Sequence, residues 1–253
     1  MSGRRTVQAV LRTRVPPRLA EAIQNSLHRL GYEIQAFPGP ADRRRMTLLR
    51  TRGITLVLDV GANAGQYATR LRDAGYTGRI LSFEPQGGPF RQLERCVRND
   101  PGWEARRLAL GDEDGRAEIH RAANTFSSSL LPMKDRHIDS DPTSFYVGSE
   151  AVATARLESI WEEVHRPEDR VWLKLDVQGY ELHVLRGAQS VIKNIDVVQT
   201  EMSLVPLYDG DVSWRDLVDW LRDHGLRLAG LEPGFDDQQT GELLQADGIF
   251  IRD

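Results

Sequence analysis

Short apolar runs alternate with segments of helical spacing along most of the chain. The runs predict strands at 56–60, 79–85, 104–110, 170–176, 195–201, 226–231 and 248–252, and the patterns between them predict helices after residue 65, at 88–99 and at 213–224. Strands that alternate with helices favour an α/β fold with a mostly parallel, doubly wound sheet and helices on both of its faces. We expect the last two strands to form an antiparallel pair at one edge of this sheet.

The first 52 residues follow a different pattern. Apolar residues at helical spacing predict an amphipathic helix at 17–31, and a basic helix at 41–52 follows a proline-bearing linker. We therefore expect an N-terminal basic helical segment at 1–52 and a main domain at 53–253. The segment either packs on the main domain or serves as a lid or a partner-contact region.

The region after the third predicted strand is less regular. The Asp114-Gly115 turn predicts a hairpin that joins the strand at 104–110 to a strand at 116–122. Residues 123–150 show no regular pattern, and long irregular loops in compact domains are usually functional or disordered. We expect residues 123–150 to form one wall of a substrate pocket.

Charge is distributed unevenly along the chain, whose formal net charge is -4 and whose pI is about 5.9. This acidic balance argues against a general nucleic-acid binder, whose surface would be basic. Residues 1–52 hold eleven arginines against three acids, so this segment carries +8 and the remainder carries -12. The basic segment is either a solvated leader or a face for an acidic partner, membrane surface or substrate.

The single cysteine, Cys96, rules out a disulfide within the chain and is typical of a reducing compartment. It lies in the helix predicted at 88–99, where we expect it to be a small buried apolar residue. The sequence shows no apolar stretch of membrane-spanning length and no signal-peptide core. These features predict a cytoplasmic protein.

An acid and two glycines mark the turn between the first strand and its helix. Asp59 is followed by Gly61, Asn63 and Gly65, so the two glycines are four residues apart. A dinucleotide loop reads G-x-G-x-x-G and a P-loop ends in Gly-Lys-Ser/Thr, and this turn has neither pattern. It resembles motif I of class I methyltransferases that use S-adenosylmethionine, in which the acid and the turn hold the methionine part of the cofactor.

Three further acids stand at predicted strand ends. Glu84 lies about 20 residues after the glycine turn, where nucleotide-binding α/β folds place an acid that accepts hydrogen bonds from ribose hydroxyls. Asp176 ends the central strand, beside the glycine turn. Asp112 follows the third strand, where such methyltransferases often place an acid against the adenine amine, although an acidic turn is also common for solvation alone.

Several motifs occur together from about residue 54 to the end of the chain. They are Val57-Leu58-Asp59-Val60-Gly61-Ala62-Asn63-Ala64-Gly65, Phe83-Glu84-Pro85, Ala109-Leu110-Gly111-Asp112, the serines at 127–129, Lys174-Leu175-Asp176-Val177-Gln178-Gly179-Tyr180-Glu181 with Val184-Leu185-Arg186-Gly187-Ala188, and Ile249-Phe250-Ile251-Arg252. Together and in this order they closely resemble the FkbM family of methyltransferases. The resemblance implies a Rossmann-like class I methyltransferase fold with a seven-stranded sheet. It also implies S-adenosylmethionine as cofactor and a hydroxyl acceptor on a small-molecule natural product, sugar or lipid-linked glycan.

Methyl transfer to a hydroxyl needs an aligned oxygen and a base that removes its proton. The candidate bases are His137 in the irregular region, Asp176, and Glu201 on the next strand. Lys174 points the same way as Asp176 by strand alternation and is a candidate partner for an acid. Asp176 and Glu201 are also candidate ligands for a divalent cation, for which the sequence shows no third ligand.

Two other functions compete with methyl transfer. An NAD-dependent oxidoreductase would share the fold and Glu84, but the glycine spacing argues against it. A non-catalytic module that only binds S-adenosylmethionine would share the whole cofactor site. Nucleic acid is not an expected partner, and the sequence leaves the oligomeric state open.

Overall fold

The computed structural model describes residues 5–6, 21, 23, 26, 32–33 and 37–253. The chain divides into two compact units, Met1–Leu48 and Leu49–Asp253. In the first unit, Arg5–Thr6 and Tyr32–Glu33 pair as two short parallel strands. The helix predicted at 17–31 lies largely outside the described residues, and the domain boundary at 52/53 stays a prediction.

The described strands and helices are numbered in chain order across both units. The strands are β1 (Arg5–Thr6), β2 (Tyr32–Glu33), β3 (Leu56–Val60), β4 (Arg79–Phe83), β5 (Trp103–Arg106), β6 (Ala109–Leu110), β7 (Gly115–Ala122), β8 (Tyr146–Ala155), β9 (Val171–Leu175), β10 (Ile195–Ser203), β11 (Leu226–Pro233) and β12 (Gln245–Arg252). The helices are α1 (Pro40–Thr51), α2 (Gln66–Asp73), α3 (Gly87–Val97), α4 (Asp135–Ser140), α5 (Trp161–Val164), α6 (Glu181–Arg186) and α7 (Trp214–Asp223). Short 3-10 turns occur at Glu158–Ile160 and Ile192–Asn194.

Within the described residues, seven strands form one sheet in the order β11-β12-β10-β9-β3-β4-β5. The strands from β10 to β5 are mutually parallel, and β12 runs antiparallel to both β10 and β11. The predicted mostly parallel, seven-stranded Rossmann-like sheet and its antiparallel final pair are therefore confirmed. Because β10, β9, β3, β4 and β5 are parallel, their carboxyl ends lie along the same edge of the sheet.

The two faces of the sheet are covered by different helices. Leu56, Leu58 and Val60 alternate along β3 and belong to one large apolar cluster, which also contains buried leucines of α6 and α7. Val57 and Asp59 point to the opposite face by strand alternation. There the Tyr67 hydroxyl of α2 donates a 2.8 Å hydrogen bond to Gln199 of β10. Helices thus lie on both faces, as the pattern predicts.

The predicted start of α7 at Ser213 is confirmed by its capping contact. The Ser213 hydroxyl accepts a 3.3 Å hydrogen bond from the Asp216 backbone N–H, which would otherwise lack a partner in the first turn. Leu217 and Leu221 are buried below this helix, at the spacing that keeps one stripe of side chains inward.

The hairpin predicted between 104–110 and 116–122 is wrong. The first segment splits into β5 in the large sheet and β6 in a second sheet of order β6-β8-β7, and β7 pairs antiparallel with β8. The Asp114 carboxylate accepts hydrogen bonds of 2.8 Å from both the Arg156 backbone N–H and the Ser159 hydroxyl. The Asp-Gly turn therefore holds the end of β8, whose start falls inside the region expected to be irregular.

The burial expected for Cys96 is also wrong, because this side chain is exposed. Leu93 is the fully buried residue of the same helix, α3, and it contacts the turn that precedes α2. Cys96 lies about one turn further along α3, where its exposed thiol is 3.7 Å from the Ala64 carbonyl oxygen.

Among the helices that the structure describes, none has the length and apolar character needed to cross a bilayer.

Gly187, at the end of α6, allows close approach to the chain that follows β6. A Cβ added there would lie 1.8 Å from the Gly111 carbonyl oxygen, whereas a Cβ at Gly88 in α3 would meet nothing within 4 Å. Gly187→Ala should therefore lower the free energy of unfolding by about 3 kcal/mol through overpacking. Gly88→Ala should change it by no more than about 1 kcal/mol, because a Cβ there meets no other segment and only the following Pro89 restricts it. Urea unfolding measures both, and equal effects would show that the approach at Gly111 is not constrained.

Candidate functional site

A cavity of about 380 Å³ opens at the carboxyl edge of the large sheet. Its walls include Gly61 after β3, Glu84 after β4, Asp176 after β9 and Glu201 within β10. This is the edge at which ligands of open parallel sheets bind, and the volume lies in the range of small-molecule sites. Four neighbouring strands therefore direct polar groups onto this concave site.

The glycine turn reaches this edge through backbone conformations that glycine favours. Gly61 has φ 77° and Gly65 has φ 87°. A Cβ at Gly61 would lie 1.8 Å from the Asp176 carbonyl oxygen, and a Cβ at Gly65 would lie 3.0 Å from Leu93 and Trp103. Gly61 thus lets the turn lie directly against the end of β9, while Gly65 lets α2 begin close to the sheet.

Glu84 is fixed by the turn that it faces. Its carboxylate accepts 2.8 Å hydrogen bonds from the backbone N–H groups of Asn63 and Gln86, one on each oxygen. Burial raises the pKa of Glu84 to about 7, although these two hydrogen bonds oppose the shift. Since a carboxylate has about four acceptor positions, each oxygen keeps capacity for a ligand hydroxyl at the cavity wall.

A row of buried polar side chains crosses the sheet behind the cavity. Ser82 of β4, Asp59 of β3, Lys174 of β9 and Gln199 of β10 are register neighbours on consecutive strands. The Lys174 ammonium lies 3.5 Å from Asp59 Oδ1 and 3.1 Å from Asp176 Oδ2. Burial by itself would lower the pKa of Lys174, but the Asp176 and Asp59 carboxylates outweigh it and raise the pKa. The predicted pairing of Lys174 with an acid is observed.

One glutamine joins the two carboxylates on the other side of Asp176. The Gln178 amide nitrogen donates hydrogen bonds of 2.9 Å to Asp176 Oδ1 and 2.8 Å to Glu201 Oε2. Its amide oxygen accepts a 2.8 Å hydrogen bond from the Tyr208 hydroxyl. Gln178 holds this position with φ 56°, a left-handed conformation that is strained for a residue with a side chain.

Glu201 is also contacted by the Gln245 amide, which donates a 2.9 Å hydrogen bond to the same oxygen as Gln178. Burial raises the pKa of Glu201 well above its usual value, and the nearby Asp176 and Glu181 carboxylates raise it further. Glu201 Oε2 is thus occupied by two amide donors.

His137 lines the same cavity from α4 and is only 3% exposed. Its ring packs against Tyr208 and Phe235, with centroid distances of 5.2 Å to each. Burial lowers the pKa of His137 to about 4, and the Asp141 charge only partly opposes this. Among the described residues, His137 Nδ1 has no hydrogen-bond partner. The imidazole is therefore neutral at pH 7, with an unused polar atom.

Residues 124–130 form a wall of the cavity, within the region predicted to do so. The Ser129 hydroxyl donates a 2.7 Å hydrogen bond to the Gln178 carbonyl oxygen, which ties the inner end of this wall to the site. At its outer end, the Asn63 amide lies 3.3 Å from the Thr125 carbonyl oxygen. Phe126 at the tip is 62% exposed while it lines the cavity.

The sequence of residues 59–228, about two thirds of the chain, matches the family described as the methyltransferase FkbM domain. The chain belongs to the FkbM methyltransferase family. The family that the sequence motifs indicate is thereby confirmed, and the match begins at Asp59 and ends within β11.

Two relatives and one solved structure show how far this FkbM chain resembles other proteins. It is 27% identical over 189 residues to "2-O-methyltransferase NoeI" of Sinorhizobium fredii (strain NBRC 101917 / NGR234), over 70% of this chain and 75% of that protein. It is 26% identical over 144 residues to "Methyltransferase 1" of Beauveria bassiana (strain ARSEF 2860), over 53% and 58%. A crystal structure of a fibrillarin/Nop5p complex aligns at a TM-score of 0.46 with 12% identity, covering 79% of this chain and 74% of that one.

The structure brings most of the predicted site residues of the FkbM chain to one cavity. The described cavity walls include Gly61, Asn63, Glu84, His137, Asp176 and Glu201. They do not include Asp59, which is fully buried, or Gly65, which lies against Leu93 and Trp103. Asp112 is also outside the walls, because its carboxylate is engaged by the His183 ring at 2.8 Å and the Tyr180 hydroxyl at 3.3 Å.

Gln178 and Tyr208 are site residues that the sequence analysis did not single out. Gln178 stands inside the motif Asp176-Val177-Gln178-Gly179, and a polar residue before a glycine at a strand end was the available signal. Tyr208 follows β10 in a loop, and its hydrogen bond to Gln178 joins segments 30 residues apart. Local sequence pattern gives no sign of such a contact.

A metal site is not formed by the side chains that the structure describes. Asp176 and Glu201 are bridged by the Gln178 amide, and no group of three or more histidine, cysteine or acidic side chains suited to a metal ion occurs in this part of the chain. Hard divalent cations need more oxygen ligands than these two carboxylates supply.

Loss of the Gln178 amide should destabilise the site, since two carboxyl groups and one phenol would lose their shared partner. We expect Gln178→Met to lower the free energy of unfolding by about 2 kcal/mol, the scale of lost hydrogen bonds to charged groups. Gln189→Met changes an exposed residue after α6 in the same way and should stay within about 0.5 kcal/mol of the parent. Urea unfolding compares the two variants, and equal effects would show that the Gln178 contacts contribute nothing.

Proposed function

We propose that the cavity binds S-adenosylmethionine and that the protein transfers its methyl group to a hydroxyl of a small molecule, sugar or lipid-linked glycan. The observation that carries this proposal is the Glu84 carboxylate, held by the Asn63 and Gln86 N–H groups at the cavity wall beside the glycine turn. Membership of a methyltransferase family supports the reaction class. The oxygen acceptor is supported by the relative described as a 2-O-methyltransferase, at 27% identity.

The residues at the cavity wall fit an adenosyl cofactor. Glu84 would accept the ribose hydroxyls, and the glycine turn at Gly61 and Asn63 would lie along the ligand with no Cβ in the way. The apolar residues Leu110 and Ile119 also line the cavity and suit an adenine ring. Asp176 would face the cationic end. Asp112 is not included, because its carboxylate lies outside the cavity walls.

S-adenosylmethionine supplies a methyl group on a sulfonium, which makes that carbon open to in-line attack by an oxygen. The acceptor hydroxyl has to be aligned and to lose its proton to a base. Both Asp176 oxygens are engaged by Lys174 and Gln178, and Glu201 Oε2 accepts hydrogen bonds from the Gln178 and Gln245 amides. His137 is neutral at pH 7 and its side chain lines the cavity, so we assign it as the base.

The competing functions differ in what the cavity would bind or do. An NAD-dependent oxidoreductase would bind the dinucleotide, and a non-catalytic module would bind S-adenosylmethionine without turnover. The cytoplasmic location is part of the same proposal and is supported by a single, exposed cysteine. A divalent cation is not part of it.

Titration calorimetry with S-adenosylmethionine and with NAD tests the cofactor. We expect the first to bind and its affinity to fall as the pH drops through about 7, where Glu84 takes up a proton and loses acceptor capacity. Glu84→Gln should weaken binding at pH 8 by about tenfold or more, the scale of a hydrogen bond to a charged group, and remove this pH dependence. Glu94→Gln, at an exposed site in α3, is the matched control. Binding of NAD alone would contradict the proposal.

His137→Gln should lower kcat by about 100-fold, the usual contribution of a general base, and leave the Kd for S-adenosylmethionine unchanged. Because the pKa of His137 is about 4, the ring is in its base form above that pH. The acid limb of the kcat profile should therefore lie near pH 4 to 5, below the usual histidine range. Transfer of a labelled methyl group to a panel of glycosides, polyols and phenols measures this. His165→Gln, whose ring stacks on Trp161, is the control, and equal rates for the two variants would refute the assignment.

A further inference from the structure

Lys174 stands between a carboxylate inside the sheet and a carboxylate at the cavity. Asp59, 3.5 Å behind it, is fully buried, whereas the Asp176 side chain, 3.1 Å in front of it, is 42% exposed and lines the cavity. The three charges lie in one line of contacts across β3 and β9, whose residues Asp59 and Lys174 are register neighbours. Lys174 itself is not at the cavity wall.

The inner carboxylate is held firmly. Asp59 Oδ2 accepts a 3.1 Å hydrogen bond from the Ser82 hydroxyl, which in turn accepts a 3.0 Å hydrogen bond from the Trp103 indole. Asp59 Oδ1 has no hydrogen bond among the described residues, and Lys174 is the ion-pair partner of this oxygen. An acid in this position needs the lysine, because an unpaired buried carboxylate is costly.

The lysine has little freedom to move away. Its side chain is 7% exposed, and its ammonium lies 5.1 Å from the centre of the Tyr67 ring of α2. The Tyr67 hydroxyl is held by Gln199, so this ring closes the space above Lys174. The Lys174 ammonium is therefore held in place and can orient the Asp176 carboxylate.

The sign of the charges matters for a cationic ligand. Burial raises the pKa of Asp59, whereas the Lys174 charge and the Ser82 hydrogen bond oppose this shift. An ammonium beside the cavity would repel a sulfonium, but an ionised Asp59 compensates it, and with Asp176 ionised as well the three groups together carry one net negative charge. With Lys174 on Oδ2 and Gln178 on Oδ1, the Asp176 carboxylate is held at both oxygens before any ligand arrives. Groups that are ordered beforehand lose less entropy when they bind a ligand.

We propose that Lys174, anchored by Asp59, is a positioning residue that holds the Asp176 carboxylate at the cavity for the cationic end of S-adenosylmethionine. This inference rests on the proposed function. In this inference Asp59 affects the cofactor indirectly. Asp59 contacts Lys174, Lys174 contacts Asp176, and Asp59 itself contacts no ligand.

The test compares Asp59→Asn/Lys174→Met, Asp176→Asn and the triple variant. Lys174→Met alone leaves Asp59 buried without its partner, so this variant should unfold at a lower urea concentration than the parent. The double variant removes both buried charges and should recover most of that loss. Unfolding midpoints therefore show which variants are folded before any ligand is added.

Calorimetry with S-adenosylmethionine then measures positioning separately from stability. We expect the folded double variant and Asp176→Asn each to bind about tenfold more weakly than the parent, the scale of a hydrogen bond to a charged group. The triple variant should show no further loss, because all three changes act on one carboxylate and are therefore not additive. The control is Arg79→Met/Asp169→Asn, which removes an ion pair of 2.9 Å outside the cavity walls and should leave the affinity unchanged.

Three results would overturn the inference and leave the cofactor assignment intact. Two of them are parental affinity in the double variant and parental affinity in Asp176→Asn. The third is a loss of about a hundredfold in the triple variant, as expected for independent groups. A parent protein that does not bind S-adenosylmethionine would remove the proposed function, and this inference with it. A loss in the Arg79→Met/Asp169→Asn control equal to that in the double variant would show a general effect of removing buried charges.

Discussion

A charged amine buried in the middle of a parallel sheet is the constraint on which the rest of this site depends. An ammonium removed from water is tolerated only where acids surround it, and here the acids come from the neighbouring strand and from the end of the same strand. The polar row that results is confined to one register of the sheet, between apolar layers. The position of the Asp176 carboxylate at the cavity therefore depends on Lys174 and Asp59, two buried residues of the sheet.

The fold could be predicted because its signals are local. Each parallel strand is a short apolar run, each following helix has its own spacing, and the start of α7 is marked by Ser213. The pairing of β7 could not be predicted in the same way. Its partner β8 begins more than 20 residues later in the chain, and an Asp-Gly turn of the hairpin kind instead binds the backbone at Arg156. Which strand a segment pairs with depends on contacts that no short window of sequence contains.

The site shows the same division between local and distant information. Glu84 and Asp176 each come one residue after a strand end, and both reach the cavity as the sequence indicates. Asp59 precedes the last residue of β3 and is buried beside Ser82 and Lys174, its register neighbours on the two adjacent strands. Two positions along a strand thus separate an acid that faces a ligand from an acid that faces a lysine. Gln178 was missed because its importance comes from residues 129, 201 and 208, which only the folded chain brings together.

The wall at 124–130 is attached at its inner end and open at its tip. Ser129 is tied to the backbone of Gln178, whereas the side chain of Phe126 projects largely into solvent. A change of side chain at the tip alters the shape and chemistry of the cavity mouth without touching the sheet, the glycine turn or the buried charges. The range of molecules that the cavity admits can therefore change in the course of evolution by substitution at this tip, while the sheet, the glycine turn and the buried charges stay the same.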